Sequence, residues 1–275
     1  MLGYWKIEDV NWDAFDPSQV DPETLKAVKA AAMVEFNAAD YVGYLNKVFH
    51  DDPDMLANIK QWGIEEAQHG EALGRWAEMA EPGFDFQEAF RRFREGYTIN
   101  DGADQSVRGS RAGEMVARCV VESGTSSFYS GMRDNTEEPV LKQIAGYIAA
   151  DEFRHWKMFY MGFLKYQPAE RIGFMKRLGI ALSRVQEAED DELAYAYYCG
   201  NVPAEKEAEI PYDRNAYSKA YNKQTLRFYH WPHLRKGVAM IAKAVGLKPR
   251  GMVSTGIARV IWWAMVSRTR SAKPA

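Results

Sequence analysis

Cysteine occurs only twice, at Cys119 and Cys199, in a chain of 275 residues. That excludes a disulfide framework and makes a reducing compartment, the cytoplasm, the expectation. Long apolar runs are missing as well. The longest late one, residues 260–266, has seven residues, whereas a membrane span needs roughly 20. The first ten residues include Lys6, Glu8 and Asp9, which is not a signal-peptide pattern, so none is expected. Strand-like alternation is nearly absent. Gly102 and Gly109 form no phosphate loop, and no Gly-x-Gly-x-x-Gly follows a strand.

The most informative shortage is of negative charge. After Asp213 there is no Asp or Glu, yet those 62 residues carry 13 Lys and Arg. The first 213 residues hold 22 bases against 38 acids, so a net charge of -3 is the sum of a body at -16 and a tail at +13. Such a split points to a polyanionic partner or an anionic surface. With 47% apolar and 27% charged residues, the chain is otherwise of ordinary globular make-up.

What is present is helix signal. Asp21-Pro22-Glu23 makes a good N-terminus. From there Leu25, Val28, Ala32, Phe36, Ala39, Val42 and Leu45 keep helical spacing to about His50. After the turn at 51–54 a second helix is expected over about 55–80, stopped by Glu81-Pro82-Gly83. A connection with a short amphipathic piece at 86–97 and a polar loop at 100–104 leads to helices at about 109–133 and 139–166, the latter ended by Pro168. A fifth is expected over 169–198. Prolines then cut the remainder into helices at 213–230, 233–245 and 252–268. The expected fold is all-α: a four-helix bundle with a long crossover over residues 1–200, and a basic C-terminal helical extension, 201–275, packed on or beside it.

Two of the five histidines have a glutamate three residues earlier: Glu66-x-x-His69 and Glu152-x-x-His155. Residues three apart share a helix face, so each pair can offer an oxygen and a nitrogen to one point. Glu35 and Glu122 lie mid-helix among apolar residues, where an isolated charge would be expensive. Counted from the hairpin turns at 1.5 Å per residue, Glu35 and Glu66 lie at depths of about 25 and 21 Å, and Glu122 and Glu152 are level likewise. A single buried Glu or His is usually a satisfied core group. Six of them on four helices at matched depth are better explained as ligands. One Glu on each of two helices and Glu-x-x-His on each of the other two is the di-iron or di-manganese carboxylate pattern. The expected metal ligands are therefore Glu35, Glu66, His69, Glu122, Glu152 and His155, holding two Fe ions (Fe2+/Fe3+), with Mn as the other candidate. Asp151 and Glu65, which precede the two pairs, are placed to accept the second imidazole N–H. Thr125, one turn after Glu122, can reach the same pocket.

These residues resemble a family. Glu65-Glu66-Ala67-Gln68-His69-Gly70 resembles the Glu-Glu-x-x-His-Gly motif of soluble acyl-carrier-protein desaturases, and Asp151-Glu152-Phe153-Arg154-His155 is similar to their Asp-Glu-x-Arg-His motif. Glu122-Ser123-Gly124-Thr125 resembles their Glu-x-x-Thr, which implies a part for Thr125 in O2 activation. The resemblance covers about residues 25–170. It implies an O2-dependent oxidoreductase that desaturates a fatty-acyl chain, an acyl-carrier-protein substrate, a ferredoxin-like electron donor and a homodimer.

Other ferritin-like di-iron chemistry is the alternative: hydroxylation, aldehyde deformylation, N-oxygenation or tRNA hydroxylation. A non-enzymatic iron-binding protein is the third reading. The ligands all precede residue 156, so the basic tail is expected to choose a partner. The candidates are an acidic carrier protein or an anionic membrane surface touched peripherally through residues 259–268; the acyl-chain reading favours both over nucleic acid.

Overall fold

The computed structural model describes residues 4–98, 103, 105–187 and 191–271. Among them there is no strand; the regular structure is α-helix with a few 3-10 turns. No helix among the described residues is long and apolar enough to cross a membrane. The chain divides into two compact units.

The first unit comprises Met1–Asp104, Arg133–Tyr147 and Glu189–Thr225. Its helices are α1 (Pro22–Phe36), α2 (Ala38–Val48), α3 (Pro53–Ala80) and α4 (Phe86–Gly96), with α8 (Asp191–Asn201) and α9 (Arg214–Thr225) from the far side of the chain. Carboxylates begin α1, α3 and α4, as expected for N–H groups that have no partner within the first turn. Asp21 accepts from the N–H of Thr24 at 3.2 Å, Asp52 from Met55 at 3.1 Å and Asp85 from Glu88 at 2.9 Å. α1 packs against α3 and α8, and its Ala27, Val28, Ala30 and Ala32 are fully buried. Arg92 of α4 reaches the end of α8, donating to the carbonyl of Val202 at 2.9 Å and pairing with Glu207.

The expected single helix from residue 22 to about 50 is two helices. The chain breaks at Asn37, whose N–H is shared between the carbonyls of Met33 (3.1 Å) and Val34 (3.2 Å). Its buried side chain accepts a hydrogen bond from Arg94 of α4. An asparagine that finds such partners competes with helix continuation, which apolar periodicity alone does not register.

The second unit comprises Gln105–Met132, Ile148–Ala188 and Leu226–Ala275. It contains most of α5 (Arg111–Asn135) and α6 (Pro139–Glu170), with α7 (Phe174–Glu187), α10 (Trp231–Val245) and α11 (Met252–Ser271). Glu170 at the end of α6 accepts from the first N–H groups of α5, Arg111 at 3.0 Å and Ala112 at 2.6 Å. α6 runs through Pro168 instead of stopping there. The proline forfeits one bond close to the helix end, and the N–H of Arg171 still bonds the Gln167 carbonyl at 2.8 Å. Arg171, at φ 48°, is where the helix stops.

The helix expected over 169–198 is α7 and α8, one in each unit, and the residues between them, 188–190, lie outside the described ones. So does the polar loop at 100–104, Ala103 excepted. The helices expected in the tail are present, and the tail passes from the first unit to the second at Thr225. In the second unit α10 lies close on α5: a Cβ on Gly237 would stand 2.5 Å from Ser127 Oγ.

An ion pair fastens α7. Arg108 donates to Glu187 at 2.6 Å, and this bond, helped by Ser183, pulls the Glu187 carboxyl down to about 2. A folded value below the unfolded one, about 4.3, stabilises at neutral pH, and the contribution fades as pH falls from about 4 towards 2. The pair is partly exposed, so Glu187→Gln should cost only about 0.5–1 kcal/mol at pH 7. Urea melts at pH 7 and near pH 2 would show that cost shrinking at the lower pH.

Candidate metal centre

In the first unit Glu35 comes from α1, and Glu66 and His69 from α3. The spacing of three puts Glu66 and His69 on the face of α3 that meets α1, and close packing brings Glu35 to them. All three are buried: His69 completely, Glu66 and Glu35 to within 7 and 8%. His69 Nδ1 stands 3.6 Å from a Glu35 oxygen and 3.7 Å from a Glu66 oxygen. The three offer ligand atoms within 4.8 Å of one another.

The approach of the two helices depends on Gly70. A Cβ there would lie 2.5 Å from the backbone nitrogen of Phe36 and 2.7 Å from the carbonyl oxygen of Ala32. The glycine after His69 therefore sets the distance at which α1 delivers Glu35. Trp5, which no motif in the sequence singles out, covers the other side. Its ring stacks on the His69 imidazole with centroids 6.1 Å apart and planes within 2°, and Gln68 donates to its carbonyl at 3.0 Å. Only its aromatic character, in a segment without helical periodicity, could have pointed to it.

In the second unit Glu122 comes from α5, and Glu152 and His155 from α6, buried to 1, 1 and 3%. His155 Nδ1 is 3.7 Å from an oxygen of Glu122 and 3.7 Å from one of Glu152. These three also offer ligand atoms within 4.8 Å of one another. Thr125 donates its hydroxyl to Glu152, with the carbonyl of Val121 as a second acceptor at 3.3 Å. Of the acids expected to orient the imidazoles, Asp151 pairs with Arg154 at 2.5 Å and Glu65 accepts from Gln61 at 2.8 Å.

No protein-family model matches the chain, and none of the curated proteins compared with it is similar.

The geometry suits a cation. A hydrogen bond needs about 2.7–3.2 Å between heavy atoms, and the Nδ1 atoms of His69 and His155 stand farther than that from the oxygens of Glu35, Glu66, Glu122 and Glu152 that face them. Two ligands of one ion, with bonds of about 2.1 Å, lie roughly 3–4.2 Å apart, and the observed 3.6–3.7 Å falls in that range. Carboxylates and imidazole form an oxygen–nitrogen donor set that iron and manganese accept. Thiolate has no place in it. Burial, then the neighbouring Glu122, pushes the Cys119 thiol well up, so it stays protonated. This buried cluster of Glu and His can hold a metal ion.

In the second unit α10, part of the basic tail, lies beside the Glu122, Glu152 and His155 triad. Lys236 sits 3.3 Å from the centroid of the Phe153 ring, and Lys243 is 4.6 Å from that of Tyr160 and 5.3 Å from that of Trp156. Phe153 and Trp156 flank the candidate ligands Glu152 and His155 in sequence. Two of the tail's charges are thus spent on aromatic faces beside the candidate ligands.

Proposed function

We propose that the two triads form one dinuclear centre within a ferritin-like bundle, and that the protein is an O2-dependent di-iron oxidoreductase acting on a fatty-acyl chain, in the manner of an acyl-carrier-protein desaturase. The observation that carries the reading is the twofold repeat of one arrangement: a Glu from one helix facing a Glu-x-x-His from the next, each buried and each at coordinating separation.

Glu35, Glu66 and His69 would hold one ion, and Glu122, Glu152 and His155 the other. Iron bound there would supply the redox and O2 chemistry that side chains lack. The protein's own part is the surroundings. Burial keeps bulk water from the ligands, and four carboxylates offset the charge of the cations. Thr125 holds a hydroxyl proton against Glu152, where it can be passed to an oxygen atom or taken from one. Beside it, α5 is open at the surface: Gly124 is exposed, and Val121 and Thr125 are half-buried. An extended acyl chain reaching that stripe would come to Thr125 first. An acidic acyl carrier protein as the substrate's carrier, a ferredoxin-like electron donor and a homodimer complete the proposal.

The test is metal content and the optical spectrum of the oxidised protein, followed by product analysis by mass spectrometry with acyl carrier protein substrate, O2 and reductant. Two irons per chain with oxo-bridge bands support the centre, and one iron or two uncoupled irons refute it. Saturated product alone from the loaded, reduced enzyme would sink the desaturase assignment and leave the centre standing. Thr125→Val should keep both irons and lower product formation about 10–100-fold, the usual effect of removing a ligand's hydrogen-bond partner. Unchanged turnover would remove Thr125 from the chemistry.

A further inference from the structure

Two helices of the second unit are turned the unusual way round. α11 buries its small residues, Ser254 and Ala258, at 2 and 0% exposure. To solvent it shows Met252, Val253, Ile257, Val260, Ile261 and Trp263, spread over about half of the helix circumference. Met252 is 94% and Trp263 71% exposed. α7 does the same. Ile180 and Ala181 are buried, while Phe174, Met175, Leu182 and Val185 face outward, Met175 at 73%. Both helices pack on α10.

Single exposed apolar residues are ordinary, but two helices of one unit with outward apolar arcs mark an interaction surface. Its charge selects the partner. α11 has no acid, and the only one in α7, Glu187, is held by Arg108. Exposed bases accompany the arcs: Lys176 on α7, Lys248 and Arg250 before α11, and Arg259 within it. A second copy of the chain would set these bases against themselves across a twofold axis. A membrane carrying anionic headgroups would not.

We infer that α7 and α11 form a docking surface for an anionic lipid bilayer. The apolar arcs enter the boundary between headgroups and acyl chains, and Lys176, Lys248, Arg250 and Arg259 stay among the phosphates. Trp263, amphipathic and outward, sits where indole rings settle at such boundaries. Neither helix crosses the bilayer, so the contact is peripheral and reversible. The inference is independent of what the metal centre does.

The full-length protein is sedimented with vesicles of phosphatidylcholine alone and with vesicles containing about one-third phosphatidylglycerol. Binding should be at least about tenfold stronger to the anionic vesicles and should fall at high salt. Met175→Ser with Leu182→Ser, and separately Val260→Ser with Trp263→Ser, should each weaken it about tenfold. All four positions are exposed, so thermal melting should match the parent and exclude misfolding as the cause. Equal partitioning to both vesicle types, or binding that both double variants leave unchanged, overturns the proposal. So does a dimer on sizing that the variants dissolve, or capture of an acidic carrier protein that they abolish, if vesicles are not bound.

Discussion

Removing one candidate ligand should leave a protein that no longer holds a pair of metal ions. His69→Ala and Glu152→Ala are each expected to lower bound iron from two per chain to one or none and to erase the oxo-bridge bands. The reason is the closeness of the donors. His155 Nδ1 lies 3.7 Å from both Glu122 and Glu152, so a truncation at Glu152 takes away one of the few donors in reach of an ion bound there. In the proposed dinuclear centre it also takes away a carboxylate balancing the second ion.

Stability should move the other way. Glu122 and Glu152 are each 1% exposed and both lie within ligand distance of His155, so the metal-free protein crowds carboxyl groups together away from water. Glu152→Gln preserves the shape and removes one of the crowded carboxyl groups, and it should raise the stability of the metal-free protein by about 1–3 kcal/mol. Loaded parent protein should gain from binding instead, by about 2.7 kcal/mol at a metal concentration about 100 times the dissociation constant. Paired denaturant melts with and without chelator would read both signs. If Glu152→Gln binds two coupled irons as the parent does, Glu152 is not a ligand.

The parts of this arrangement that were legible in the sequence were those governed by local spacing. Glu66-x-x-His69 and Glu152-x-x-His155 could be placed on helix faces because three residues is nearly one turn, and Glu35 and Glu122 stood out as charges within apolar runs. Thr125 was legible in the same way, one turn beyond Glu122. What could not be read depends on residues far apart in the chain. The break at Asn37 is fixed by Arg94, 57 residues away. Trp5 reaches His69 across 64 positions, and no period in its own segment announces it. Pro168 misled because its effect depends on how much helix follows it, and here only two residues do. The basic tail was read as charge, whereas the structure shows how it is divided. Lys236 and Lys243 lie on rings beside the ligands, while α11 turns its apolar arc outward.

Gly70→Ala should be damaging for a change of a single methyl group. The added Cβ would meet the Phe36 nitrogen at 2.5 Å, the Phe36 Cβ at 2.6 Å and the Ala32 carbonyl oxygen at 2.7 Å. Two of these are backbone atoms of α1, which no rotamer change can move, so α1 itself has to shift away from α3. Helix propensity alone would favour alanine by about 0.8–1.0 kcal/mol, so a measured loss isolates the contact. Overpacking of this kind costs about 1–3 kcal/mol. The larger effect is on the metal: Glu35 directly precedes Phe36, and displacing α1 carries the Glu35 carboxylate away from Glu66 and His69. Iron affinity on the Glu35 side should fall by about 10–100-fold, as for other losses of ligand positioning, while the Glu122, Glu152 and His155 set keeps its own geometry. Titration of metal-free protein with ferrous iron would then show one tight and one weakened step. Two unchanged steps together with unchanged stability would mean that the approach of α1 to α3 at Gly70 does not set the position of Glu35.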